Sequence, residues 1–279
     1  MNSELPSATG SEFPRTSDHD PVRFKKFQAL NLTALESIAS KKRNDTRCTI
    51  NKSQYAYGRD NLILEVVFED KVVWIARLRV HEPKFLKARG DVDKVTESEV
   101  ATMRFLKRET NIPVPSVFWY DAHYENEVGQ PYILMEVMPG KRLRGVPSTR
   151  YIPAEYEEKV YQQFADIMLQ LYSHPFPEIG MLYPGGMDGE ERIGEIVDQH
   201  ARFPNYGPFF DSSTFYHTRC RLVEQYYSSD SFPSTESMTS NPVEEAKYKE
   251  KAIPYIVDPE YQRGPFYLAH PDFQVLPSS

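Results

Sequence analysis

The sequence is poor in cysteine, in clustered histidine and in long apolar runs. Its 279 residues include two cysteines, Cys48 and Cys220, which are far apart and form no metal-binding or redox motif. The seven histidines lack the spacing of metal ligands, so we predict no histidine-based metal site. No apolar run is long enough to cross a bilayer, and we therefore expect no membrane-spanning segment.

The chain also lacks an excess of basic residues. It has 33 Lys and Arg against 40 Asp and Glu, which gives a net charge of −7. Proteins that bind nucleic acids generally carry a basic surplus, so we expect no nucleic-acid partner. Hydrophobic residues make up 40% and charged residues 26%, as in ordinary soluble globular proteins. No feature of the sequence indicates a particular oligomeric state.

The first 21 residues are rich in Ser, Pro and Thr and poor in apolar residues, which predicts a disordered tail. They contain no apolar core of a secretory signal. Four acidic residues, Glu4, Glu12, Asp18 and Asp20, argue against a mitochondrial presequence. We therefore expect a cytoplasmic protein.

The next part of the chain predicts a helix followed by strands. Apolar residues recur at helical spacing over 27–42, and the polar stretch 43–51 is typical of a loop. A β meander is predicted over 53–80, with strands at 61–68 and 72–80. The turn before the first of these strands contains Gly58 and Asn61. Gly58 would allow a close approach of the backbone to phosphate, although an ordinary turn is the simpler interpretation of a single glycine.

Arg77 lies in an otherwise apolar strand and therefore needs water or a partner. The predicted helix 92–109 supplies one. Glu99 follows Val92 by seven residues, close to two full turns, so it lies within roughly 20° of the apolar face. A carboxylate on such a face requires a cation. The pair could hold phosphate through the bidentate Arg, or it could be a structural ion pair between two layers.

Two further strands are predicted at 116–120 and 131–138. The second ends at Pro139 and Gly140, which resembles the connection between two lobes. The backbone from Glu136 to Met138 could there pair with the edge of an adenine ring. The alternative is a core strand followed by a common turn.

The second half of the chain is predicted to be largely helical. Helix 155–173 carries an apolar face with Val160, Phe164, Ile167, Met168 and Leu171. The acidic stretch 178–200 could attract a cationic substrate, but a solvated helix face is the simpler interpretation. Helices are also predicted at 219–227 and 244–252, with a Ser/Thr/Pro loop over 228–242 between them.

An apolar run at 266–269 leads to His270, Pro271 and Asp272. In kinase-type phosphotransferases such a loop holds the catalytic Asp, which orients the attacking hydroxyl and accepts its proton. A surface turn is the alternative, because Pro and Asp are both common in turns. The template places a Mg²⁺-binding Asn five residues after the Asp, where this chain has Pro277.

Six motifs in this order resemble the aminoglycoside phosphotransferase family of protein-kinase-like proteins, in particular its fungal branch. They are 58–61 (GRDN), 74–77 (WIAR), 99–103 (EVATM), 112–115 (IPVP), 132–136 (YILME) with Pro139 and Gly140, and 270–272 (HPD). The resemblance runs from about residue 55 to Phe273. It implies an α+β, two-lobed fold with a first lobe of antiparallel sheet plus helix at 22–138 and an incomplete helical second lobe at 139–279.

The resemblance also implies roles for individual residues. Arg77 would bind phosphate, Glu99 would orient Arg77, and the backbone from Glu136 to Met138 would hold adenine. Gly58 and Asn61 would belong to the nucleotide-binding turn, and Asp272 would be the catalytic base. The implied cofactors are ATP and Mg²⁺, and the implied reaction is phosphorylation of a hydroxyl group on a small molecule.

The chain departs from the family pattern after Phe273. The Mg²⁺-binding Asn is replaced by Pro277, and a later Mg²⁺-binding Asp has no counterpart in the seven residues that follow Asp272. We therefore expect little or no turnover and interpret the sequence as a C-terminally truncated member. The alternatives are a pseudokinase-like module that binds nucleotide or protein, and a non-functional fragment.

Overall fold

The computed structural model describes residues 27–58, 60–80, 90–139, 154–185, 190–198, 203–229 and 241–269. The expected tail at 1–21 and the predicted base Asp272 lie outside these ranges. The chain divides into two compact units. Unit 1 comprises Met1–Glu158 and Tyr183–Glu191, and unit 2 comprises Lys159–Leu182 and Arg192–Ser279. The sequence-based lobe boundary at 138–139 falls within unit 1.

Unit 1 contains a five-stranded sheet in which every neighbouring pair is antiparallel. Its strands are β1 (Cys48–Tyr57), β2 (Asn61–Phe68), β3 (Val73–Arg79), β4 (Val117–Asp121) and β5 (Tyr132–Glu136), in the order β1-β2-β3-β5-β4. Helix α1 (Leu32–Lys42) precedes the sheet, and helix α2 (Gly90–Glu109) connects β3 to β4. The prediction of an α+β class with an antiparallel sheet is confirmed.

The two faces of this sheet differ in chemistry because side chains alternate along each strand. On one face, Leu62, Leu64 and Val66 of β2 are completely buried, and they form one core with buried residues of α1. On the other face, β3 carries Ile75, Arg77 and Arg79. The sheet therefore buries an apolar core on one side and presents charged groups on the other.

Aromatic contacts extend the core towards the edge strand β4. The Trp74 ring is buried and stacks on Phe118, with ring centroids 4.3 Å apart. It also meets the edge of Phe68, at a centroid distance of 4.8 Å. On the neighbouring residue of β4, the Lys42 ammonium lies 3.1 Å from the centre of the Trp119 ring. This cation–π contact covers part of the exposed edge strand.

Beyond residue 153 the chain forms helix α3 (Ala154–Tyr172), the paired short strands β6 (Met181–Tyr183) and β7 (Arg192–Gly194), and helices α4 (Ser212–Tyr227) and α5 (Pro242–Ile256). Helices α4 and α5 pack against each other. In the described part of unit 2 the buried apolar side chains are few: Leu171, Leu182, Val197, Ala246 and Ile253.

Large apolar side chains are exposed in unit 2. Tyr255 is 90% exposed, Tyr248 is 71% exposed and Phe210 is 68% exposed. Helix α4 has no buried residue along its length. The apolar face predicted for α3 is found, but of its five residues only Leu171 is fully buried. The described part of unit 2 thus has a much smaller core than unit 1.

Two local predictions were wrong. The stretch 43–51 was predicted as a loop, but β1 begins at Cys48, which pairs with Phe68 of β2. Polar residues alternate with buried ones there because β1 is an edge strand, and pairing with β2 overrides the polar composition. The stretch 178–200 was interpreted as a helix face, but its described residues form β6, β7 and turns. Gly180, Pro184 and Gly185 all disfavour a helix.

Helices α4 and α5 are longer than predicted because their capping residues lie further upstream. The Asp211 carboxylate accepts hydrogen bonds from the Thr214 amide and hydroxyl, each at 2.7 Å. The Asn241 side chain accepts from the amide of Val243 at 3.1 Å. Asp and Asn are favoured at helix N-caps, so both starts have a readable signal in the sequence.

Candidate functional site

The centre of the candidate site is an ion pair between the sheet and α2. Arg77 lies on β3 opposite Ile63 of β2 and Ile133 of β5. Its Nη1 contacts Oε1 of Glu99, and both side chains are one quarter exposed. The structure thus contains the pair that the sequence pattern predicts. In this position Arg77 is held by Glu99 but is still reachable from solvent.

A second arginine, which the sequence analysis missed, shares the same carboxylate. Arg79 Nη2 lies 3.6 Å from Oε2 of Glu99, and its side chain is only 10% exposed. Arg77 and Arg79 are two residues apart in a strand and therefore lie on one face. That alternation is the signal that could have revealed the second arginine. Each oxygen of Glu99 thus faces a different guanidinium.

The surroundings of this triad are polar and closely packed. A cavity of about 10 Å³ is lined by Asn61, Thr96 and the three charged residues, together with Pro131, Tyr132 and Ile133. Its volume corresponds to about one water molecule. A second carboxylate, Glu65, is buried on the same face of the sheet, opposite Ile75. Binding of a phosphate group here therefore requires the Arg77 side chain to move.

Thr96 has an unused hydrogen-bonding group. Its side chain is 2% exposed, and its hydroxyl has no hydrogen-bond partner among the described residues. Thr96 lies three residues before Glu99 in α2, so the two side chains are neighbours on one helix face. A buried hydroxyl without a partner is unfavourable, which makes Thr96 an exception that calls for a reason.

The turn between β1 and β2 contains Gly58 and Asn61. The Gly58 amide donates to the Asn61 carbonyl at 2.8 Å. A Cβ added at Gly58 would lie 3.6 Å from that same oxygen, which is ordinary contact. The turn itself therefore leaves room for a side chain. Asn61 pairs with Arg79 across the sheet and lines the cavity.

Glu136, at the end of β5, is engaged in hydrogen bonds. One of its carboxylate oxygens accepts from the Ser116 amide at 3.0 Å, the Ser116 hydroxyl at 2.8 Å and Lys107 Nζ at 3.3 Å. The bonds from Ser116, and then Lys107, lower the pKa of Glu136. Its amide donates to the Ser116 carbonyl at 2.9 Å. Met138 follows the strand and is 38% exposed.

One residue of the acidic stretch has a specific partner. Arg108 of α2 makes a bidentate pair with Glu191, at Nη1–Oε1 3.0 Å and Nη2–Oε2 2.5 Å. Burial opposes ionisation of Glu191, but the bonds from Arg108 outweigh it and lower the pKa of this carboxyl. Glu191 therefore already has a cationic partner within unit 1.

The described residues hold no group of three or more His, Cys, Asp or Glu side chains that could bind a metal ion. They offer no site that fits the Mg²⁺ of the resemblance. The predicted base Asp272 lies outside the described ranges, so its role stays a prediction. None of the helices in these ranges is long and apolar enough to span a membrane.

No family model matches the chain. Curated relatives match part of it. A subtelomeric hrmA-associated cluster protein of Aspergillus fumigatus is 38% identical over 39% of this chain and 21% of its own length. The mitochondrial protein named altered inheritance of mitochondria protein 9 is 28% identical in Meyerozyma guilliermondii, over 50% of this chain and 22% of the relative. The chain thus spans about a fifth of the length of these relatives.

Among solved structures, the Rio2 kinase of Chaetomium thermophilum, in a complex with ADP, Mg²⁺ and phosphoaspartate, is similar at 15% identity, with a TM-score of 0.37. The match covers 79% of this chain and 66% of the kinase.

The expectation of a cytoplasmic protein is wrong. The relatives in Meyerozyma guilliermondii, Zygosaccharomyces rouxii and Candida tropicalis are all named as mitochondrial proteins. The acidic residues near the start of the sequence were therefore a poor guide to the compartment.

Proposed function

We propose that unit 1 is a kinase-like nucleotide-binding module in which Arg77 binds the phosphates of ATP. The observation that carries this proposal is the pair of Arg77 and Glu99, which joins the centre of the sheet to α2. Arg presents a planar, permanently charged fork that suits phosphate oxygens. In the free protein, Glu99 holds that fork at the site. Because Arg77 is still one quarter exposed, its guanidinium can exchange Glu99 for a phosphate.

The rest of the nucleotide would lie along the sheet. Gly58 and Asn61 in the β1–β2 turn would approach the phosphates, and the room at Gly58 would leave the backbone accessible. Adenine would pair with the backbone after β5. Since the Glu136 amide already donates to Ser116, the pairing groups fall to Val137 and Met138. Glu136 would then hold the start of this segment in place through its hydrogen bonds with Ser116.

The chemistry of the full protein is a further part of the proposal. By resemblance, Asp272 would accept the proton from a hydroxyl of a small molecule as phosphate is transferred to it. The Mg²⁺ that the resemblance implies would neutralise charge at the phosphates, but the described residues contain no carboxylate cluster that would hold it. A second candidate is a pseudokinase-like module that binds nucleotide without transferring phosphate. The replacement of the expected Asn by Pro277 favours it.

The test is a calorimetric titration with ATP, carried out on the purified unchanged protein and on the Arg77→Met variant. We expect measurable binding that the substitution weakens about tenfold or more, because a charge-assisted hydrogen bond is lost. Arg47→Met is the matched control. Arg47 is also in unit 1, but its side chain is 88% exposed and it pairs with Glu69. Equal losses in both variants, or no binding by the unchanged protein, would contradict the proposal.

We also propose that the chain works in mitochondria, as the names of its yeast relatives indicate for those proteins. Fractionation of cells that express the full-length gene product, with protease protection of the organelle fraction, checks this location. Recovery in the cytosolic fraction alone would contradict it.

A further inference from the structure

Glu99 contacts two guanidinium groups, although an orienting role towards Arg77 needs only one. Oε1 contacts Arg77 and Oε2 faces Arg79 at 3.6 Å. The two arginines differ in accessibility. The Arg79 side chain is 10% exposed, whereas that of Arg77 is 25% exposed. Arg77 is therefore the one that can turn to a ligand, and Arg79 is the one that stays.

Arg79 becomes important when Arg77 breaks its contact with Glu99. If Arg77 turned to a phosphate, Glu99 would lose the partner of Oε1 in a largely buried place. The Glu99 side chain is only one quarter exposed, so a carboxylate left there without a partner is unfavourable, and a lone Arg–Glu pair would resist opening. With Arg79 at Oε2, the carboxylate keeps a counter-charge throughout.

Thr96 can replace the other contact. Its hydroxyl is buried, lines the same cavity as Glu99 and has no hydrogen-bond partner among the described residues. A hydroxyl can donate one hydrogen bond, and a side chain three residues earlier on a helix is a neighbour of Glu99. A rotation of the Thr96 side chain would bring its hydroxyl to Oε1 once Arg77 has left.

We infer that Glu99 exchanges partners when nucleotide binds. Arg77 moves from Glu99 to the phosphates, while Arg79 and Thr96 hold Glu99 in its place. This inference rests on the proposed nucleotide-binding function and adds two positioning residues, Arg79 and Thr96. Neither of them contacts the nucleotide. The hydroxyl of Thr96 is unfavourable in the free protein and becomes useful only in the bound one.

This exchange predicts that one substitution raises the stability of the free protein and lowers its affinity for ATP. Thr96→Val removes the hydroxyl and keeps the shape of the side chain. The free protein should become more stable, because a buried hydroxyl without a partner is gone. Binding of ATP should weaken by about threefold to tenfold, since the bound state loses a hydrogen bond to a charged group. A residue with a merely structural role would change stability and affinity in the same direction.

Thr102→Val is the matched control on the same helix. The Thr102 hydroxyl donates to the Ser98 carbonyl at 2.8 Å, so it already has a partner. Its removal should lower the thermal midpoint and leave the affinity for ATP unchanged. Thr96→Ser keeps the hydroxyl and should retain most of the ATP affinity of the unchanged protein.

Arg79 is tested by a double-substitution cycle with Arg79→Met and Arg77→Met. Calorimetry gives the affinity for ATP and for adenosine, which has no phosphates. Arg79→Met alone should weaken ATP binding about tenfold and leave adenosine binding unchanged. When Arg77 is already Met, the further substitution should have little effect on ATP, because Arg79 acts through Arg77.

The failures of the two proposals can be told apart. No ATP binding by the unchanged protein overturns the nucleotide-binding function and this inference with it. If ATP binds, additive effects of Arg77→Met and Arg79→Met would show that Arg79 acts directly, and would overturn the exchange. The exchange would also be overturned if Arg79→Met weakened ATP and adenosine binding equally. A Thr96→Val variant that is less stable than the unchanged protein would overturn it too.

Discussion

At the scale of single residues, His123 links the loop after β4 to the first turns of α2. Its Nδ1 lies 2.9 Å from Oδ2 of Asp93. The hydrogen bond to Asp93, and the charge of that carboxylate, raise the pKa of His123 above its ordinary value of 6.5. The contact therefore stabilises the folded state when His123 is protonated.

We expect His123→Gln to destabilise the chain mainly at low pH. A raised pKa contributes stability that is fully present below pH 6.5 and is lost as the pH rises through the higher folded-state pKa. Because the His123 side chain is 68% exposed, the effect should be about 0.5 kcal/mol or less. Urea unfolding of both proteins across this pH range measures it. The difference should disappear when Asp93 is replaced by Asn, and a difference independent of pH would contradict the assignment.

At the scale of helices and strands, the sequence predicts an element well when the residues of that element carry the signal themselves. It predicts an element poorly when the structure depends on pairing with a distant segment. The strand 61–68 was predicted with the bounds that β2 has, because it is rich in β-forming residues and a turn follows it. The start of β1 was missed, since its strand character comes from pairing with Phe68, twenty residues later. Helix starts were missed at Asp211 and Asn241, where capping side chains extend helices beyond their apolar pattern.

The same contrast applies to the candidate site. The pair of Arg77 and Glu99 could be predicted because each residue interrupts an apolar pattern in its own element. Arg79 lies at the end of β3, where a charged residue is common, so its two-residue spacing from Arg77 was the only sequence signal that it lies on the same face. Thr96 is a common helix residue, and only the three-dimensional structure shows that its hydroxyl is buried without a described partner.

At the scale of the whole molecule, the two units differ in how much apolar surface they bury. Most buried apolar residues in the described ranges belong to unit 1, and α4 contributes none. Burial of apolar surface is the main favourable term in folding, at about 25 cal/mol per Å². Unit 2 should therefore unfold at a lower denaturant concentration than unit 1.

Hydrogen exchange at increasing urea concentrations, read by mass spectrometry, checks this order. Amides of α4 and α5 should lose protection first, while those of β2 and β3 should stay protected. Simultaneous loss of protection in both sets of elements would show that the chain unfolds as one cooperative body. At a pH below 6.5, a His123→Gln variant, which alters unit 1 only, should shift the second transition slightly and leave the first unchanged.

The placement of the two tryptophans gives the molecule a built-in optical reporter. Trp74, stacked on Phe118, and Trp119, beneath Lys42, are the only tryptophans in the sequence, and both lie in the sheet of unit 1. Tryptophan fluorescence, excited at the long-wavelength edge of the absorption band where tyrosine does not absorb, therefore reports on unit 1 alone. Tyrosine emission reports on both units, since tyrosines lie in each, for example Tyr132 in unit 1 and Tyr226 in unit 2. The unfolding of unit 1 can therefore be followed through its own tryptophans, without any attached dye.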